Sequence, residues 1–167
     1  SDVCSSDLLH LLGSVAILRR RNQEGLDLTE RAIAVNPGNA AYLLNKGLAL
    51  KNLKRYSESL ASYEELVRRW PESPEAFYER GSVLLEMQRF DEARASFKKA
   101  IELRPDLPLA HNNLGIAHTG LKDFSSALRC FDKAIELWPR YAEAYSNRGN
   151  LLSELGRWEE SLDNFDT

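Results

Sequence analysis

The feature that most constrains the fold is a fixed period that two residue types keep at once. Glycine occupies positions 13, 47, 81, 115 and 149, and proline follows at 37, 71, 105 and 139, always at the same spacing after a glycine. Two residue types that share one period of about 34 residues are the signature of a stacked array, in which each repeat packs on its neighbours. The sequence therefore predicts a tandem repeat protein.

Within each period the apolar residues follow helical spacing. One face is shared by Leu43, Gly47 and Leu50, and another by Leu60, Tyr63 and Val67. Each repeat is therefore predicted to be a hairpin of two helices, the first starting near Pro74 or Pro108 in two repeats and the second ending at the proline column. Ser57, Asp91 and Ser125 are predicted to be N-cap residues of the second helices.

The glycine column needs a physical reason, because a glycine inside a helix costs about 1 kcal/mol relative to alanine. Close helix packing is the predicted compensation. The facing column is small, reading Gly25, Ser59, Ala93, Ala127 and Ser161, and aromatic residues flank the contact at Tyr63, Phe97, Phe131 and Phe165. The two helices of a hairpin are thus expected to approach backbone to backbone.

The combination of Gly81, Ala93, Phe97, Ala100 and Pro105 resembles the tetratricopeptide repeat family. The resemblance covers residues 6–167 and implies an all-α fold, a right-handed superhelix of antiparallel helix pairs whose first helices line a concave surface. The repeats are expected at 6–39, 40–73, 74–107 and 108–141, with a truncated repeat at 142–167. The first repeat departs most, because Thr29 stands in the aromatic column.

Neither end of the chain reads as a natural boundary. Val3 stands where the period expects a proline, so residues 1–5 are interpreted as a non-native scar. The last two residues, 166 and 167, align with the interior of the second helix of the preceding repeat. The array is therefore expected to continue beyond residue 167.

Charge and cysteine content narrow the possible partners. Twenty-two Lys and Arg residues against twenty-five Asp and Glu residues give a net charge of -3, which disfavours a nucleic-acid partner. Since no apolar run approaches the roughly 20 residues that span a bilayer, no membrane partner is expected. Cys4 and Cys130 form no repeating framework, which favours a reduced, cytoplasmic protein.

Candidate catalytic and metal-binding residues are few. His111 and His118 could be imagined as metal ligands, but both occupy columns of large packing residues, which is the favoured interpretation. Cys130 has no base placed beside it by the sequence, and the five periodic glycines are predicted to lie within helices, where they cannot form a phosphate loop. The sequence therefore predicts neither an enzyme nor a site for a metal or cofactor.

The strongest candidate site is a polar column two residues before each glycine. The column reads Leu11, Asn45, Glu79, Asn113 and Asn147, with Asn112 and Asn150 nearby on the same predicted surface. Asparagine offers donors and an acceptor, so Asn45, Asn112, Asn113, Asn147 and Asn150 are predicted to grip a peptide backbone in the groove. These residues resemble the asparagine ladder of O-linked N-acetylglucosamine transferases, and residues 9–13 look like the opening repeats of bacterial tetratricopeptide glycosyltransferases.

Two functions remain open from the sequence. The favoured one is a protein–protein interaction scaffold that binds an extended peptide or a partner helix in its concave groove. The alternative is the substrate-recruiting arm of a glycosyltransferase or other transferase whose catalytic domain lies beyond residue 167. Either way, the partner of these repeats is expected to be a protein or peptide.

Overall fold

The computed structural model describes the backbone of residues 2–162 and the side chains of residues 5–161, and this part of the chain contains ten α-helices and no strand. They are α1 (Asp2–Leu18), α2 (Asn22–Val35), α3 (Ala40–Asn52), α4 (Tyr56–Arg69), α5 (Pro74–Glu86), α6 (Phe90–Leu103), α7 (Pro108–Gly120), α8 (Phe124–Leu137), α9 (Ala142–Glu154) and α10 (Trp158–Leu162). The prediction of an all-α chain of helical hairpins is confirmed. Phe165, which the aromatic column includes, lies outside the described residues.

The chain divides into two compact units, residues 1–83 and residues 84–167. The first contains α1 to α4 and most of α5, and the second contains the end of α5 together with α6 to α10. Within each unit every complete helix packs on the next along the chain, and the first helices of successive hairpins also meet, α1 with α3 and α7 with α9. Each unit is thus built from stacked hairpins.

The glycine column lets an aromatic ring lie directly against the first helix. A Cβ at Gly115 would stand 2.5 Å from the Cε1 of the buried Phe131, and Gly47 faces the ring of Tyr63 in the same way. In the first hairpin, where Thr29 replaces the aromatic residue, a Cβ at Gly13 would lie 2.9 Å from its Oγ1. The predicted approach of backbone to backbone is seen in the first hairpin, where a Cβ at Gly13 would lie 3.2 Å from the carbonyl oxygen of Gly25, whereas at Gly47 and Gly115 the nearest atoms belong to the aromatic ring.

The small facing column contributes hydrogen bonds that spacing did not reveal. The hydroxyl of Ser59 donates to the carbonyl oxygen of Gly47 at 2.7 Å, and the hydroxyl of Ser161 donates to that of Gly149 at 2.9 Å. Both bonds join the second helix of a hairpin to the middle of the first. A serine in this column therefore ties the two helices together as well as leaving room between them.

The turn within each hairpin contains one residue with a left-handed backbone. These residues are Arg20, Lys54, Gln88, Lys122 and Gly156, with φ between 56° and 73°. After α7, for example, the N–H of Lys122 donates to the carbonyl of Thr119 and the N–H of Asp123 donates to that of His118, both at 2.9 Å. This pair of bonds is the Schellman motif, which satisfies the last carbonyl groups of the first helix.

The N-cap prediction was wrong by two residues. Helices α4, α6 and α8 begin at an aromatic residue, so Ser57, Asp91 and Ser125 lie inside the first turn. The residues that precede these helices are Arg55, Arg89 and Asp123, and of these only Asp123 caps with its side chain, which accepts from the backbone N–H of Ser126 at 3.2 Å. The Schellman turn makes the connection between the two helices short, so each second helix begins earlier in the sequence than predicted.

The proline predictions are confirmed. Pro74 and Pro108 are the first residues of α5 and α7, where the missing N–H costs nothing. The second helices end at Val35, Arg69, Leu103 and Leu137, each two residues before a proline of the column. A residue that precedes proline is driven towards extended backbone, which stops the helix.

At the start of the chain, α1 runs through residues 2–5 without a break, and the hydroxyl of Tyr42 donates to Oδ1 of Asp7 at 2.7 Å. The non-native origin of residues 1–5 and the exact repeat boundaries stay predictions. No helix among the described residues has the length and apolar character needed to cross a bilayer. The side chain of Cys4 lies outside the described part of the chain.

Candidate peptide-binding surface

In the second unit the asparagine column links neighbouring first helices. The side-chain amide of Asn147 on α9 donates to Oδ1 of Asn112 on α7 at 2.9 Å. Asn112 is fully buried, and its own amide lies 3.3 Å from Oδ1 of Asn113 and 3.4 Å from Oε1 of Glu143. These contacts hold α7 and α9 in a fixed register.

Asn45 has the equivalent role in the first unit. Its amide donates to Oγ of Ser14 at 2.6 Å and lies 3.2 Å from Nδ1 of His10, so α3 is joined to α1. The ring of His10 also lies 4.8 Å from the ring of Tyr42, measured between centroids. The sequence separation of His10 and Asn45 equals that of Asn112 and Asn147.

Glu79 interrupts the asparagine column in the sequence but follows the same rule in the structure. Its carboxylate accepts a 2.7 Å hydrogen bond from Nζ of Lys51, which joins α5 to α3. The column two residues before the glycine therefore reaches back to the preceding first helix at Asn45, Glu79 and Asn147. Polar residues that recur at nearly the repeat spacing on successive first helices were the signal in the sequence that could have identified these links.

Asn147 and Asn150 also line a pocket of about 280 Å³ in the second unit. Its apolar part includes Ile116 from α7 and Leu151 from α9, and Glu154 adds a carboxylate. The ring of Phe90 completes the wall beside Gly120, where a Cβ would come within 2.6 Å of that ring. The pocket thus combines amide groups with apolar surface.

The structure places the five predicted site residues in two groups. Asn112, Asn113, Asn147 and Asn150 lie together on α7 and α9 of the second unit, and Asn45 belongs to the first unit. Asn150 is exposed, Asn45, Asn113 and Asn147 are partly buried, and Asn112 is inaccessible to solvent. Asn112 can therefore act on a ligand only through the residues that it contacts, Asn113, Asn147 and Glu143.

The residues considered for metal binding or catalysis have structural surroundings. His118 is buried with Nδ1 3.1 Å from Oδ2 of Asp123, and Nε2 of His111 lies 2.9 Å from the carbonyl oxygen of Pro105. Cys130 is a free thiol whose pKa burial raises to about 11. Over the described residues no three His, Cys, Asp or Glu side chains are grouped so that they could hold a metal ion.

The helical hairpins repeat with a period of about 34 residues, and their first helices stack on one another. These two features define a class of helical repeat protein. A tetratricopeptide repeat family model matches residues 10–74 and 44–108, a second matches 108–141 and a third matches 130–163. The chain belongs to the tetratricopeptide repeat family.

Among curated proteins, the Inactive TPR repeat-containing thioredoxin TTL3 of Arabidopsis thaliana is 38% identical over 68 residues. The match covers 41% of this chain and only 10% of that protein. Among solved structures, MamA from residue 41 to its end, from Desulfovibrio magneticus RS-1, matches with a TM-score of 0.86 and 19% identity over 96% of this chain and 91% of that one. YrrB, described as a TPR protein with an unusual peptide-binding site, matches with a TM-score of 0.74 and 20% identity over 95% of this chain and 81% of that one. The identities of 19% and 20% to these two solved structures establish the fold alone.

Proposed function

We propose that this chain is a non-catalytic protein–protein interaction scaffold that binds an extended peptide or a partner helix on the asparagine-bearing face of its first helices. The observation that carries the proposal is the pocket of about 280 Å³ where Asn147 and Asn150 adjoin Ile116 and Leu151. A peptide needs both kinds of surface, because its side chains bury apolar area while its backbone requires hydrogen-bond partners.

The asparagines have different tasks in this proposal. Asn150 is exposed and meets the peptide directly with its donors and its acceptor. The side chain of Asn147 is oriented by its bond to Asn112, which in turn contacts Asn113. A side chain already fixed before binding loses little conformational entropy when the ligand arrives, which favours affinity. Asn45, held by Ser14, serves in the same way in the first unit.

The proposed location is the cytoplasm, in keeping with the sparse cysteines. The transferase alternative would place the same surface on the recruiting arm of a longer enzyme. Neither the family matches nor the solved structures named above support that resemblance. A reading frame that continues into a nucleotide-sugar-binding α/β domain would favour the transferase, and further repeats followed by a stop codon would favour the scaffold.

A peptide selection tests the proposal. Peptides of twelve residues are selected on the immobilised chain from a random library, and one is synthesised and titrated into ¹⁵N-labelled protein. The side-chain amide signals of Asn147 and Asn150 and the backbone signal of Ile116 are expected to shift together. Asn150→Ala is expected to weaken binding roughly two- to tenfold, the range of one net hydrogen bond.

Asn52→Ala is the matched control, because Asn52 is exposed and its amide contacts Asn22 at 3.1 Å, outside the pocket. Its affinity is expected to equal that of the unmodified chain. Peptides that leave the signals of Asn147 and Asn150 unmoved, or that bind Asn150→Ala with full affinity, would contradict the proposed surface.

A further inference from the structure

An ion pair recurs between successive hairpins at the period of the array. It joins Nζ of Lys46 to Glu30 at 2.9 Å, the guanidinium of Arg80 to Glu64 at 3.8 Å, and the guanidinium of Arg148 to Asp132 at 2.6 Å. In each pair the cation lies on a first helix and the carboxylate lies on the second helix of the preceding hairpin, with the same sequence spacing every time. The array thus places opposite charges at this position three times.

At the remaining joint of the same register the pair cannot form. Leu114 stands in the cation column and Lys98 stands in the carboxylate column, so the charge on the second helix is inverted. The neighbouring columns change at the same joint. His111 replaces Leu43, Phe77 and Tyr145, His118 replaces Leu50, Leu84 and Leu152, and Arg129 replaces Ala61 and Ala95. At this joint, positive or titratable side chains therefore occupy columns that hold carboxylate, apolar or small residues in the other hairpins.

These residues line a cleft of about 480 Å³ between α6, α7 and α8 in the second unit. Three cations line it, Lys98, Arg129 and Lys133, against one carboxylate, that of Glu102. Glu102 lies 3.0 Å from Nζ of Lys99, and Lys133 lies 2.7 Å from Glu136. The cleft is therefore positively charged in a chain whose net charge is -3.

We propose that this cleft, the α6–α8 cleft, binds an acidic segment of a partner protein, with an Asp or Glu carboxylate held between Lys98 and Arg129. Arg129 is exposed, one of its Nη atoms donates to Oγ of Ser126 at 2.8 Å, and its guanidinium is the planar fork that pairs with carboxylates. Ile101 and Leu114 in the lining offer apolar surface for the neighbouring side chain of the same segment. The volume lies within the range of about 300–1,000 Å³ that is usual for ligand pockets.

The α6–α8 cleft differs from the asparagine-bearing pocket. On α7, Leu114 and His118 line the α6–α8 cleft, whereas Ile116 and Thr119 line the asparagine-bearing pocket. A helix turns about 100° per residue, which puts these two pairs on opposite sides of α7. The inference therefore adds a second binding site to the proposed function, and either site can fail in experiment without the other.

The test uses blocked pentapeptides as probes. A peptide that alternates Glu and Leu is titrated into the ¹⁵N-labelled chain beside its Gln and Leu counterpart. The acidic peptide is expected to shift the backbone signals of Lys98, His111 and Arg129, and its affinity should fall as salt is raised from about 20 to about 300 mM. Equal binding of the neutral peptide would overturn the role of charge. Inorganic phosphate is titrated separately, and if it reproduces all these shifts and displaces the peptide completely, the cleft is a small-anion site and the peptide proposal is wrong.

The decisive variant restores the pattern of the other joints. Lys98→Glu with Leu114→Arg rebuilds the ion pair seen at Arg80 and Glu64, so the double variant should keep its fold, which circular dichroism verifies. It is expected to bind the acidic peptide roughly two- to fivefold more weakly. Arg140→Gln removes a positive charge at an exposed loop residue and should bind normally. A folded double variant with undiminished affinity would overturn the proposal.

Discussion

The side-chain amide of Asn147 donates a 2.9 Å hydrogen bond to Oδ1 of Asn112, a wholly buried residue on the preceding first helix. Asn147→Ala removes the donor and leaves a buried acceptor with one partner fewer. Such a loss costs about 1–3 kcal/mol. Urea unfolding followed by circular dichroism is expected to show this decrease in the free energy of unfolding, with native helicity retained before the transition.

Asn150→Ala serves as the control for that prediction. Asn150 is exposed, so its substitution is expected to change the free energy of unfolding by no more than about 0.5 kcal/mol. The sequence predicts that a triple variant, Asn45→Ala with Asn113→Ala and Asn147→Ala, binds its partner more weakly while its helicity stays intact. Because this variant also lacks the Asn147 amide, it should lose stability as well. Equal stability of Asn147→Ala and Asn150→Ala would show that the Asn112 contact contributes nothing.

Gly115→Leu tests the contact between first and second helices. A Cβ at this position already falls 2.5 Å from the ring of Phe131, which is buried, so a larger side chain must displace that ring. Overpacking of this kind costs about 1–3 kcal/mol, so the melting temperature should drop.

Gly38→Ala provides the comparison for Gly115. The nearest atom to a Cβ at Gly38 is Oδ1 of Asn36 at 3.5 Å, an ordinary contact, and Gly38 lies in an exposed loop. Its melting temperature is expected to stay close to that of the unmodified chain. An unchanged melting temperature for Gly115→Leu would contradict the close-packing explanation of the glycine column.

Periodicity predicted the hairpins and the ends of the second helices because the residues that determine them lie within one hairpin. Glycine and the aromatic ring set the contact between its two helices, and proline stops the second helix. The N-caps were misplaced because no residue type marks the left-handed position, where Lys54, Gln88 and Lys122 all occur. The links of Asn45 and Asn147 leave a weaker signal in the sequence, the recurrence of polar residues at nearly the repeat spacing, which does not by itself show which side chains meet. They join different hairpins, so they depend on how one repeat is stacked on the next, and this register is set by packing rather than by local sequence.

The left-handed residue of each turn gives a third prediction. Lys122 has φ of 59°, a region that costs a residue with a Cβ roughly 1–2 kcal/mol, whereas Gly156 occupies the equivalent position without that cost. Because glycine also loses more backbone entropy on folding, the net gain from Lys122→Gly is expected to be about 0.5–1 kcal/mol. Gly156→Ala should shift the denaturation midpoint in the opposite direction. If both variants lower the midpoint, backbone strain does not limit stability at these turns.

His118 gives stability a pH dependence whose sign follows from its surroundings. Burial lowers its pKa, the nearby charges of Lys98 and Arg94 act in the same direction, and Asp123 opposes them. Above about pH 7.5 the ring is largely neutral in both folded and unfolded chains, so it contributes almost no difference. As the pH falls below about 6.5, the unfolded chain takes up a proton that the folded chain resists, and stability declines through this window.

His118→Leu places in this column the residue found at Leu84 and Leu152, and it should reduce the decline. The free energy of unfolding, measured for both chains at pH 7.5 and 5.5, is expected to differ less between the two pH values in the variant. Asp123 does not obscure the comparison, because hydrogen bonds from Ser126 lower its pKa and the stability it contributes is lost only in more acidic solution. Burial also lowers the pKa of His10, so a smaller decline should persist in the variant. A decline as steep as that of the unmodified chain would exclude His118 as its source.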